Sequence, residues 1–222
     1  MLFRSVALDV QRCAGRRLQR WSVVAAACAA LADRSRDPQR AAAFWEEAGL
    51  VAADALGDDG RAEAWLRSAL AAAGDRAVAY RKLRAILQRR GDQAALEALV
   101  TQRLAVVTED HERAELFWEQ ARLRRALGLR EGALEAANKV VALEPEHVAA
   151  RALAAEIHAA SGRLGETAEA LAALAACREA PRHQRLAARL GAIDLFDLRL
   201  ERPERALAQI DALVSEGEAD EA

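Results

Sequence analysis

Four glycines, Gly57, Gly91, Gly128 and Gly162, interrupt an otherwise helical apolar pattern at intervals of 34, 37 and 34 residues. Breaks that regular restrict the chain to a repeated helix–turn–helix unit. The stretch from Arg113 to Pro145, RAELFWEQARLRRALGLREGALEAANKVVALEP, shows the unit most fully. Alanine and larger apolar residues recur every three or four positions from Ala114 to Leu127, stop at Gly128, and resume from Ala133 to Leu143 before Pro145 ends the run. A single pair of short helices cannot bury its own apolar face, so it needs a similar pair on each side. About six such pairs fit in 222 residues.

Composition agrees with stacked helices and with no other class. Apolar residues make up 53% of the chain but aromatic ones only 4%, and about a quarter are alanine, the strongest helix former and a poor filler of wide cores. No alternating run of strand length occurs, so the expected class is all-α. Lysine plus arginine (32) nearly balances aspartate plus glutamate (34), and all the basic residues but Lys82 and Lys139 are arginine. Such balance gives no overall field for a nucleic acid, and none is expected as a partner.

No run of eighteen apolar residues is present, so no membrane span is expected. Cys13, Cys28 and Cys177 are an odd, widely spaced set without a C-x-x-C pair, expected to pack as small apolar residues in a reducing, cytoplasmic setting. The alternative is an exported or lipid-anchored protein, if residues 16–28 act as a signal: Arg16, Arg17 and Arg20 precede a short apolar run ending in small residues and Cys28. Trp21, Val24, Cys28 and Leu31 also mark one face of an amphipathic helix, and that reading is preferred.

Taken in order, residues 1–33 contain two helical patterns split near Gly15, the first short and uncapped, and predict an incomplete N-terminal hairpin. Asp37-Pro38 is a helix start, with a capping aspartate ahead of proline at the first helical position. From there the repeat is expected to occupy residues 34–214. Residues 215–222, SEGEADEA, have almost no apolar content and predict an acidic disordered tail. A longer period overlies the shorter one: QRAAAFWEEAGL from Gln39 and ERAELFWEQARL from Glu112 match at most positions at an offset of 73 residues.

These spacings resemble the tetratricopeptide repeat, in which an aromatic, small residues, a turn and a closing proline fall at fixed places. Phe117, Ala121, Gly128, Ala133 and Pro145 match those places, and Tyr80, Leu83, Leu87 and Gly91 match the preceding copy. In the second hairpin Ala62, Ala69 and Leu70 match the closing helix, with Leu66 in place of its aromatic. The resemblance covers residues 38 to 216, with Arg84 and Arg124 departing from the pattern. It implies a right-handed superhelical α-solenoid of about six antiparallel helix pairs, binding a peptide or partner protein in a concave groove lined by the first helix of each pair.

Candidate groove residues follow from side-chain direction. Neighbours on a helix point about 100° apart, so Phe44 and Phe117 are expected inside their hairpins, with Trp45 and Trp118 toward the groove or the joint between hairpins. Arg81 and Arg84, among the basic residues from Arg76 to Arg90, and Arg122 and Arg125 on the next first helix would form a positive strip suited to an acidic peptide. No catalytic residue, metal site or cofactor is expected: the histidines are scattered, Asp58-Asp59-Gly60 lacks the ligand spacing of a calcium loop, and no phosphate-binding or nucleophile motif occurs. The expected role is a non-catalytic interaction scaffold, able to self-associate through uncapped ends. Two other roles fit the pattern, a superhelix supporting a separate catalytic subunit and an exported assembly factor.

Overall fold

The computed structural model describes the backbone of residues 2–221 and the side chains of residues 5–216. Two compact units divide the chain, Met1–Val107 and Thr108–Ala222. Unit 1 contains α1 (Leu2–Arg17), α2 (Trp21–Arg34), α3 (Pro38–Asp54), α4 (Asp59–Ala72), α5 (Ala77–Arg90) and α6 (Gln93–Leu104). Unit 2 contains α7 (Asp110–Ala126), α8 (Arg130–Leu143), α9 (Val148–Ala160), α10 (Leu164–Ala175), α11 (Arg182–Asp194), a π-helical turn (Leu195–Arg199) and α12 (Pro203–Glu221). No strand occurs among the described residues. Within each unit the helices pair as antiparallel hairpins, and the second helix of one hairpin packs on the first helix of the next.

The turns explain the glycine spacing. Gly57, Gly91, Gly128 and Gly162 all have positive φ, from 64° to 75°, where a side chain would clash with its own backbone. At three of them the helix closes in the same way: Gly91 N–H donates to Gln88 O while Asp92 N–H reaches back to Leu87 O, and the pattern recurs at Gly128 with Leu129 and at Gly162 with Arg163. After Gly57 and Gly91 the following helix is capped by an aspartate, as α3 is by Asp37. Asp37, Asp58 and Asp92 accept from Gln39, Arg61 and Ala95 N–H, each such cap contributing about 1 kcal/mol.

The core is thin and made of small side chains with a few large ones. Ala62, Leu66 and Ala69 of α4, and Leu83, Ile86 and Leu87 of α5, are fully buried. In unit 2 Ala121, Ala133, Ala137, Val140, Leu153 and Ile157 form one cluster, with Phe117 and Trp118 packed against it. Each fully buried leucine or isoleucine stabilises by about 1.5–3 kcal/mol.

At the chain's ends the structure departs from the sequence reading. Gly15 does not break α1; the turn falls at Leu18–Arg20, where Gln19 takes the left-handed conformation (φ 53°). Gly15 is buried because α1 lies close on α2, and a Cβ there would come 2.9 Å from Val24 Cγ2. The first hairpin therefore has two helices of ordinary length. At the other end, α12 continues as helix through residues 215–221 instead of leaving the fold as a loose tail. Glu216 holds it there: Arg189 Nη2 donates to its Oε1 at 2.8 Å, and Arg189 Nη1 lies 2.8 Å from its Oε2.

Candidate functional site

Neither tryptophan stands free in a groove. Trp45 is half-buried on α3 against Leu31 and Ala32 of α2. Trp118 is half-buried on α7, its ring centroid 5.0 Å from that of His147, which caps the start of α9 by accepting from Ala150 N–H. Both are joint-forming residues between successive hairpins. Phe44 is buried between the guanidinium groups of Arg12 and Arg40, at 5.4 and 5.6 Å. Phe117 repeats that arrangement with Arg113 at 5.9 Å, and Lys139 of α8 lies 5.4 Å from its centroid. The 73-residue repeat thus preserves a cation–π pair, Arg40–Phe44 and Arg113–Phe117.

The expected positive strip is largely neutralised. Arg76 binds Glu46 at 2.8 Å, Arg89 binds Asp59 at 2.7 Å, and Lys82 and Arg90 pair with Asp54 and Glu63. All four acids lie on α3 or α4, so the basic face of α5 is turned toward its neighbouring hairpin. Glu46 also accepts from Ala79 N–H, capping α5 from another helix. Arg84 is partly buried, Arg81 is exposed, and on α7 Arg122 is exposed while Arg125 pairs with Glu156 at 2.6 Å. Pairing thus neutralises much of the expected strip and leaves Arg81 and Arg122 exposed.

A different surface has the attributes of a binding site. Between α1 and α3 runs a trough of about 780 Å³, lined by Val6, Val10, Cys13, Leu18, Arg40 and Phe44 among others. Val6, Val10 and Leu18 are 59, 61 and 66% exposed. Water-facing apolar side chains that run along α1 and into the turn after it are the kind of surface a partner covers. Arg12 is fixed at one side by Glu47 (2.9 Å) and Asp9 (3.2 Å). Burial opposes its charge, but the Glu47 hydrogen bond and both carboxylates outweigh that and raise its pKa. Arg17 and Arg40 are exposed and, among the described residues, have no carboxylate partner. The sequence reading missed this site by treating residues 1–33 as a remnant, although Val6, Val10, Ala14 and Leu18 recur every four positions.

Residues 16–28, the stretch resembling an export signal, belong to this same hairpin. Val24 and Cys28 are buried between α2 and α3 with Ala48. Burial, followed by a hydrogen bond with Glu47, pushes the Cys28 thiol up to about 12. In the folded chain Cys28 is therefore an inert packing residue. Cys177 is likewise buried, with its Sγ donating to Glu146 O at 3.3 Å, whereas Cys13 is exposed. Among the described residues no three His, Cys, Asp or Glu side chains converge to hold a metal ion. No described helix is long and apolar enough to cross a membrane.

These hairpins, turned by left-handed glycines at near-constant spacing, define an α-helical repeat with a tetratricopeptide-like fold. Among solved structures, the chain is similar to YrrB, a TPR protein with an unusual peptide-binding site, at 19% identity and TM-score 0.48, with 77% of this chain and 83% of that one covered. It is also similar to MamA, at 14% identity and TM-score 0.43 over 90% of this chain and 96% of that one. A third similar structure is a tetratricopeptide repeat protein from Parabacteroides merdae, at 17% identity and TM-score 0.43 over 96% and 79%. No protein-family model and no curated protein matches the sequence.

Proposed function

We propose that this chain is a non-catalytic protein-interaction module whose α1–α3 trough takes an amphipathic segment with acidic flanks. The carrying observation is the aligned exposure of Val6, Val10 and Leu18 beside Arg17 and Arg40, which have no carboxylate partner among the described residues. An apolar stripe needs an apolar partner face, and the two arginines select acids on its edges. The trough walls, α1 and α3, are helices already in place, so a segment binding there need not organise them first. Trp45 and Trp118 contribute by holding hairpins in register rather than by touching the ligand. Arg81 and Arg122 offer secondary cationic contacts on α5 and α7.

The test is titration of the full chain with a panel of acidic amphipathic helical peptides, read by calorimetry. Val10→Glu is expected to weaken binding about tenfold or more, since it sets a charge among apolar side chains. Arg17→Glu with Arg40→Glu is expected to weaken it and to reduce its salt dependence. Absence of binding across the panel, or binding indifferent to Val10→Glu, would refute the assignment.

A further inference from the structure

The trough of unit 1 has a counterpart on the last helix of unit 2. α12 leaves Leu207, Ile210 and Val214 exposed, at 57, 39 and 54%. Their spacing of three and four residues puts them on one stripe. The segment is acidic in sequence: residues 203–222 contain six acidic residues against a single arginine, Arg205; Arg205 is bound to Glu169 at 3.0 Å and Glu216 to Arg189 at 2.8 Å. α1 is of opposite sign in sequence, with four arginines against one aspartate over residues 2–17; Arg12 and Arg16 are bound to Glu47, while Arg17 is exposed.

We propose that the occupant of the α1–α3 trough is the α12 stripe of a second copy of this chain. The inference rests on the reading of the trough as a site for an acidic amphipathic segment and names that segment. Two features match. The apolar stripe is complementary to an apolar lining, and an acidic helix meets Arg17 and Arg40. The stripe also fits within the trough: Leu207 to Val214 spans about 10 Å along a helix, and Val6 to Leu18 about 18 Å, at roughly 1.5 Å per residue. Such a contact is head-to-tail, because each copy offers one trough and one stripe, and it propagates unless its rotation closes a ring. Opposite charges on the two faces speed encounter and make the association salt-sensitive.

The experiment is sedimentation velocity of the full chain over a wide concentration range, with Val10→Glu and Leu207→Glu as the two lesions. Both positions are exposed, and circular dichroism with thermal melting verifies that each variant folds. The wild-type chain is expected to form dimers and larger species that shrink as salt rises. Each single variant is expected to associate about tenfold more weakly or worse. An equimolar mixture of the two is expected to regain association but to stop at a dimer, since it contains one intact trough and one intact stripe. A wild-type chain that stays monomeric overturns the proposal. So does a Val10→Glu variant that still associates, which would indicate a symmetric α12–α12 contact, or a mixture that fails to pair. If the wild type is monomeric while acidic peptides still bind the trough, only the identity of the occupant fails; if neither binds, the trough assignment fails with it.

Discussion

Gly49 and Arg122 occupy corresponding places in the two copies related by 73 residues, and they show how one side chain sets the approach of two helices. Gly49 is buried on α3, where a Cβ would come 2.6 Å from Leu66 Cγ. Arg122 on α7 is exposed, and the place matching Leu66 is taken by Lys139. The first copy closes its hairpin on a leucine; the second keeps a charged residue at each of those places. Gly49→Ala is therefore expected to destabilise by about 1–3 kcal/mol through overpacking against Leu66. Arg122→Ala, touching no such constraint, is expected to stay within about 0.5 kcal/mol. Thermal or urea unfolding monitored by circular dichroism distinguishes the two, and equal effects would show that Leu66 moves aside at little cost.

A charged pair ties α12 to α11, beside the packing of Ala206 against Ala192. Arg189 is buried, and its carboxylate partner Glu216 is about half exposed. The Arg189 hydrogen bond, with the charges of Arg189, Arg185 and Arg182, holds the Glu216 carboxyl below its ordinary value against the opposing effect of burial. A carboxyl with a depressed folded-state pKa stabilises the fold above its unfolded value, near 4.5, and loses that contribution as pH falls through the depressed value. Glu216→Gln is expected to cost about 1–2 kcal/mol at neutral pH, a buried-pair loss reduced by solvent screening at the exposed carboxylate. The same variant should show a shallower loss of stability on acidification, measured by urea unfolding at neutral and acid pH; identical pH profiles for the two proteins would remove the pair from the account. None of this was legible in the composition of residues 215–222, because acidic content alone cannot reveal an arginine waiting on another helix. Features set within a few residues were legible: Asp37-Pro38, the left-handed glycines, and the buried positions Leu66, Leu83 and Leu87. Gly15 was misread because the same residue serves a turn or a close helix contact, and only its neighbour Val24 decides. The trough was missed for a related reason. Val6, Val10 and Leu18 satisfy the helical period, but the period does not say whether a stripe faces a core or water.

For the molecule as a whole, the joints between hairpins are separate local devices and differ from one to the next. Between α3 and α5 the joint is polar, with Glu46 capping Ala79 N–H and binding Arg76. Between α7 and α9 it is aromatic, with Trp118 against the capping His147. Repeat proteins are stabilised by a sum of such nearest-neighbour contacts, so damage to one joint need not spread evenly. Trp118→Ala removes a half-buried ring and its tilted contact with the His147 ring. It is expected to cost about 2–3 kcal/mol, below the 3–5 of a fully buried tryptophan. Hydrogen exchange followed by mass spectrometry should then show lost protection in α7, α8 and α9, with α1 to α4 unchanged. If protection fell equally in every helix, the chain would be one cooperative block, and the differing chemistry of its joints would have no separate thermodynamic meaning.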